Sequence, residues 1–222
     1  MRRQFAIALL VSAVSVGLSQ ENKPISDAGV VTCDNLSTDK NTSKWVSSDA
    51  GFSAKVELKA SVLGLGDHRR CVTSWKLHVR GKDRKEKVLT IADREDSPGD
   101  NEWVQENSFE INGWSKDGQL VLTSQIESQG DWDETNPVIY DFASGKFWRV
   151  NLFSLLKRLI PSGCYVVYRA IAFTAQNDVL IESLSTDDDR EPGTKPCFPA
   201  SRWKLDFRKN TIVRVETKKK DK

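Results

Sequence analysis

Three stretches of the chain read alike: Trp75-Lys-Leu-His-Val79, Val138-Ile-Tyr-Asp-Phe142 and Trp203-Lys-Leu-Asp-Phe207. They start 63 and 65 residues apart. Each places large apolar residues at alternate positions, and each leads through a turn into a second apolar-rich strand. A recurring unit of this size implies stacked copies of one small β-sheet, none able to bury its own apolar face alone.

The second copy is the clearest. Ile111-Asn-Gly-Trp114 leads to Lys116-Asp-Gly118 and then to Leu120-Val-Leu-Thr123. Asp-Gly between apolar runs signals a hairpin, because the turn needs a positive φ that glycine supplies at little cost. Pro137 to Phe142 is the next strand, Ala143-Ser-Gly145 the turn, and Lys146 to Val150 the return. The third copy repeats the plan through Ala170–Phe173, Gln176-Asn-Asp178, Val179–Ser183, Ser201–Phe207 and Ile212–Val215. In the first copy, Val56, Leu58, Ala60 and Val62 alternate with polar residues, as a half-buried strand does. Trp45 with Asp49-Ala-Gly51 stands where Trp114 and Phe173 stand, before a hairpin. One segment is helical: Asn151 caps Leu152 to Ile160, with Leu152, Leu155, Leu156 and Leu159 on one face and Pro161 as the stop.

The N-terminus has the layout of a secretory signal peptide over residues 1–20. Arg2 and Arg3 precede an uncharged run from Phe5 to Leu18, and small residues follow. As a helix that run rises only ~21 Å, short of a bilayer core of about 30 Å, so cleavage is favoured over a lasting membrane anchor. Residues 21–44 read as a polar, loosely ordered lead-in, 45–216 as the β-repeat domain and 217–222 as a basic, mobile tail. Without Arg2 and Arg3 the chain holds 31 basic residues against 31 acidic ones. That balance argues against nucleic acid as a partner, which demands a basic excess. An even set of cysteines in an exported chain (Cys33, Cys71, Cys164 and Cys197) points to two disulfides. Of three possible pairings, Cys33–Cys71 and Cys164–Cys197 close the shorter loops. No Cys-x-x-Cys is present and neither His68 nor His78 sits at ligand spacing from a cysteine, so no metal site and no cofactor are expected.

Trp114-Ser-Lys-Asp-Gly-Gln-Leu-Val-Leu122, followed by Val138-Ile-Tyr-Asp-Phe-Ala-Ser-Gly145, resembles a blade of the TolB-like β-propeller repeats. The likeness covers residues 109–151 and extends to 169–216. The resemblance implies four-stranded antiparallel blades and carries no catalytic residues. A closed single-chain propeller has at least about four blades, whereas this chain offers two plain copies and one degraded one. A further sheet within residues 21–108, an open array, or assembly between chains, including a homo-oligomer, would each resolve the difference. The expected fold is therefore all-β, built of blade-like antiparallel four-stranded repeats with one short helix. A β-sandwich is the alternative, since it predicts the same strands.

The chemistry is less explicit. No Gly-x-Gly-x-x-Gly, phosphate loop, Gly-x-Ser-x-Gly or His-Glu-x-x-His occurs. His78 alternates with inward Leu77 and Val79, so a surface position is expected for it. Acidic clusters fall at 93–102, 131–134 and 187–189, and read as solvated loops. Among them Asp131, Trp132, Asp133 and Glu134 are the candidate ligand-binding residues, because a tryptophan beside acids can stack a sugar or anchor a partner. These features suggest a secreted or periplasmic, non-enzymatic binding or scaffolding module that recognises a protein or a cell-envelope glycan. The second reading is a secreted hydrolase that uses the same loop carboxylates.

Overall fold

The computed structural model describes residues 24–32, 39–63, 70–96, 105–129, 132–162, 164, 166–185 and 197–215. The proposed signal peptide and basic tail lie outside them. Three antiparallel sheets follow along the chain. The first contains β2 (Asp39–Thr42), β4 (Ser53–Leu63), β5 (Arg70–Arg80) and β6 (Glu86–Asp96) in that order, with β3 (Val46–Ser47) also pairing with β4. The middle sheet has the order β1 (Ser26–Thr32), β7 (Gln105–Trp114), β8 (Leu120–Gln129), β9 (Trp132–Asp141) and β10 (Phe147–Arg149). The third is β11 (Val166–Phe173), β12 (Val179–Ser185), β13 (Ser201–Asp206) and β14 (Thr211–Val215). The chain is thus all-β, with blade-like meanders and one short helix, α1 (Leu152–Leu156). Among the described residues no sheet closes on itself.

Residues 21–44 supply more structure than a loose lead-in. β1 lies along β7 and β2 along β4. Those edges would otherwise present unpaired amides and carbonyls, and the polar segment satisfies them.

One turn recurs between the first two strands of every copy. A hydroxyl residue opens it and a left-handed residue stands three positions later: Ser48 with Gly51, Ser115 with Gly118, Thr174 with Asn177. The left-handed φ values are 82°, 68° and 62°. Each of these residues donates its N–H to the carbonyl of the hydroxyl residue, at 3.1, 2.8 and 3.0 Å. The hydroxyl oxygens then accept from Phe52, Leu120 and Asp178 N–H groups at 3.3, 2.9 and 3.2 Å. The residue preceding the hydroxyl is Ser47 in the first copy, so Trp45 is not the counterpart of Trp114 and Phe173. Trp45 is instead stacked by Arg80, whose guanidinium lies 3.8 Å from the ring centroid. Gly118 is required twice over: a Cβ there would meet Ala50 Cβ at 2.9 Å, because the turns of the first and middle sheets touch. The third-to-fourth strand turns share a second left-handed position, at Arg84, Gly145 and Asn210.

The middle sheet is buried on both faces. Phe109, Ile111, Val121, Val138 and Tyr140 meet Val56, Leu58, Trp75, Leu77 and Val79 of the first sheet. The opposite face, through Leu120, Leu122 and Ile139, meets Val179, Ile181, Trp203, Leu205 and Phe207 of the third. Leu152 and Leu156 of α1 join that second core. Asn151 caps the helix as expected, its Oδ1 accepting from Ser154 N–H at 2.7 Å. The helix stops at Leu156 rather than Ile160. Leu159 N–H bonds back to Leu156 carbonyl at 2.7 Å, a tighter i to i−3 closure, and this leaves Leu159 50% exposed instead of on the apolar face.

The Cys164–Cys197 bond is present, with Cα atoms 5.9 Å apart. It ties the segment after α1 to the approach of β13. Closing this 33-residue separation restrains the unfolded chain by ~3–4 kcal/mol in the chain-entropy model. Cys71 is also disulfide-bonded; Cys33 lies outside the described residues.

Trp203 and Lys204 test the period-two packing of β13. Trp203 is 4% exposed and its indole N–H donates to Ser183 Oγ at 2.9 Å. Lys204 faces outward, 3.4 Å from Asp178. Trp203→Ala should cost ~3–5 kcal/mol in denaturant unfolding, and Lys204→Ala under about 0.5 kcal/mol. Equal losses would contradict the assignment of faces.

Candidate functional site

Trp132, Asp133 and Glu134 lie on a strand and not on a loop. β9 begins at Trp132, paired with Gln129, and Asp133 pairs with Ser128. Only Gly130 and Asp131 separate β8 from β9, and Asp131 lies outside the described residues. The polar stretch 132–137 has little strand propensity, but pairing along the whole of β8 overrides it. Pro137 stands at the end of the β9–β10 ladder, which is registered from Val138 onward; its carbonyl still accepts from Val150 N–H at 2.9 Å, and the ladder's end tolerates its missing N–H.

Glu134 is the candidate whose side chain is placed, and it stands directly opposite Glu127 on β8. Like charges in that position repel, so each needs its own partners. Glu127 receives them from three elements. Arg94 of β6 reaches across from the first sheet and bonds Glu127 Oε2 through Nη1. Gln125 Nε2 donates to Oε1 at 2.7 Å, and Arg149 Nη2 lies 3.5 Å from the same oxygen. Arg149 Nε also donates to Gln125 Oε1 at 2.6 Å. Glu134 Oε1 accepts from Asn151 at 2.9 Å and from Asn136 at 3.2 Å. Gln125 and Asn136 are fully buried and Glu127 is 7% exposed. Asn136 Oδ1 has no hydrogen-bond partner among the described residues.

This cluster fills the seam between the first and middle sheets, at the end away from the touching Ser48 and Gly118 turns. It clamps the β8–β9 hairpin to β6 and β10. Both of its placed carboxylates, Glu127 and Glu134, are engaged by cations or amides. The arrangement anchors the hairpin. Sequence reading missed Arg94, Gln125, Glu127, Asn136, Arg149 and Asn151. One sign was available: Thr123 to Gln129 is polar at almost every position, on both faces of what has to be a central strand.

His78 differs from its expected surface position. It points away from the apolar core, yet it is only 7% exposed. Its Nδ1 lies 2.7 Å from Glu86 Oε1 and its Nε2 3.3 Å from Glu57 Oε2. Lys40 sits 2.9 Å from Glu57, and Arg80 2.9 Å from Glu86. Long side chains on three neighbouring strands thus enclose the imidazole. Burial pushes the Glu57 carboxyl up, but Lys40, His78 and Lys76 outweigh it and hold the group below its ordinary range. Hydrogen bonds from His78 and Arg80 hold Glu86 low as well. The network forms a polar outer surface on the first sheet. Among the described residues no group of histidine, cysteine and carboxylate side chains is arranged to hold a metal ion.

No family model matches the chain, nor does any characterised protein or solved structure match it.

Glu127→Ala removes the carboxylate that Arg94 and Arg149 share. Stability should fall by roughly 3 kcal/mol, as on breaking a largely buried pair, measured by urea unfolding. A loss below about 0.5 kcal/mol, the range of ordinary surface sites, would show that the clamp does not hold the seam.

Proposed function

We propose that this chain is an exported, non-enzymatic binding or scaffolding module that recognises a protein or a cell-envelope glycan through the tip of the β8–β9 hairpin and the neighbouring connections. The observation that carries this reading is the clamp itself. A hairpin whose second strand starts with Trp132 and Asp133 is fixed close to that end by Glu127, Arg94 and Arg149. A rigid support lowers the ordering cost of presenting side chains to a ligand. The Cys164–Cys197 bond supports an oxidising compartment, secreted or periplasmic, and with it the assignment of residues 1–20 as a signal peptide. The recurrent turns support the likeness to TolB-like repeats, a structural likeness that brings no catalytic residues.

The hydrolase reading assigns Asp131, Asp133 or Glu134 to acid and base roles. The amide contacts that hold Glu134 weigh against it. A homo-oligomer would need a face free to dock; the ion pairs on the outer surface of the first sheet weigh against stacking there, whereas the third sheet exposes Leu184, Val213 and Val215.

The test combines binding with turnover. The purified protein would be applied to an array of envelope glycans and to immobilised envelope proteins, beside Trp132→Ala. Binding by the parent that drops at least about tenfold in Trp132→Ala, a loss typical of an anchor residue, with unchanged melting, is expected. Hydrolysis of chromogenic glycosides or esters that is abolished by Asp133→Asn would overturn the proposal in favour of the enzyme.

A further inference from the structure

β1 is an edge strand. Among the described residues its only ladder partner is β7, and it also touches β2 and β4 of the first sheet. It therefore closes the edge of the middle sheet and bridges to the first. In this register Asp27 stands directly opposite Glu110. Side chains so paired have Cβ atoms about 5 Å apart, and like charges there destabilise the ladder. Asp27 is exposed, and one hydrogen bond ties its side chain to the strand. Its Oδ1 accepts from Gly29 N–H at 3.2 Å, inside the bulge where Gly29 takes a φ of 74°.

The other groups around Glu110 compensate only in part. Asn112, two residues along β7, lowers the Glu110 carboxyl, and its own Oδ1 accepts from Ser124 Oγ of β8 at 2.8 Å. Arg169 of β11 is the cation that faces the pair, and it is itself exposed to solvent.

We propose that Asp27 and Glu110 form a pH-sensitive latch on β1, docked firmly when Glu110 carries a proton and loosened when both carboxylates are ionised. Burial pushes the Glu110 carboxyl up; the Asp27 charge adds to this, and Arg169 and Asn112 oppose it without cancelling it. A carboxyl that holds its proton more tightly in the folded protein contributes stability that is full below its unfolded value. That contribution is lost as pH rises through the folded value. The loosening is local because β1 has a single ladder partner, whereas β8 is paired on both sides. The latch is independent of the ligand-binding reading and involves none of its residues.

Amide hydrogen exchange of the full chain, corrected for intrinsic rates, tests this between about pH 4.5 and about pH 8, a range that brackets a raised carboxyl. The ratio of β1 to β8 protection should fall several-fold as pH rises in the parent protein. In Glu110→Gln it should stay high and flat. Asp27→Asn retains the acceptor for Gly29 but removes the repulsion, so it should raise β1 protection at the higher pH and carries the same test should Glu110→Gln fail to fold. A parent ratio that does not change with pH would overturn the latch. So would a pH dependence that survives both substitutions.

Discussion

Burial of the middle sheet on both faces is the constraint on which the rest of this structure depends. In β8 the consecutive residues Leu120, Val121 and Leu122 are all buried, as are Val138, Ile139 and Tyr140 in β9. A strand with one wet face alternates; a strand covered on both faces does not. The first and third sheets each supply one apolar face and turn a charged one outward. On the first, Glu57, His78 and Glu86 interlock with Lys40, Lys55, Lys76 and Arg80. On the third, Arg202 pairs with Glu182 and Lys204 with Asp178, among exposed Leu184, Val213 and Val215. Lys204 follows Trp203 as Ile139 follows Val138, so a charge stands where the middle sheet has isoleucine. A polar outer face like that of the first sheet ends a stack of repeats in solution.

The way the copies meet is not uniform. Trp75 and Leu77 of the first sheet face Val138 and Tyr140 of the middle sheet, so equivalent motif positions meet front to front, as in a sandwich. Trp203 and Leu205 of the third sheet face Leu122 and Ile139, so that copy packs front to back, as stacked blades do. Measured from the left-handed residue of the following turn, the position of Asp141 and Asp206 is taken in the first copy by Arg80, not His78. The first motif is set two residues farther from its turn, a shift that preserves which side chains face the core. The polar clamp of Arg94, Glu127 and Arg149 lies in the front-to-front seam.

What was legible in the sequence was local and periodic. The Asp117-Gly118 turn, the Asn151 cap and the inward set of Trp75, Trp203 and Leu205 follow from chemistry within a few residues. Elements that depend on a distant partner were hidden. Ser26–Thr32 and Asp39–Thr42 are too polar to read as strands and become so by pairing with β7 and β4. Trp132 to Asn136 looks like a loop and is carried into β9 by its register with β8. The burial of His78 depends on carboxylates from two other strands. Glu127, Gln125 and Arg94 form a site because the first sheet folds over the middle one, a contact with no imprint in sequence spacing. Glu134 belonged to the candidate group for its place beside a tryptophan, and its partners could not be read in advance.

The shared middle sheet makes the two cores one cooperative unit, since neither can lose its packing without exposing a face of β8 and β9. Fluorine-labelled tryptophan, followed by NMR through a urea titration, reports on both cores at once. Trp75 lies in the core with the first sheet and Trp203 in the core with the third. The native resonances of the two should disappear at the same urea concentration, as a two-state transition requires. Loss of the Trp203 signal at a distinctly lower concentration, with Trp75 still native, would contradict the account.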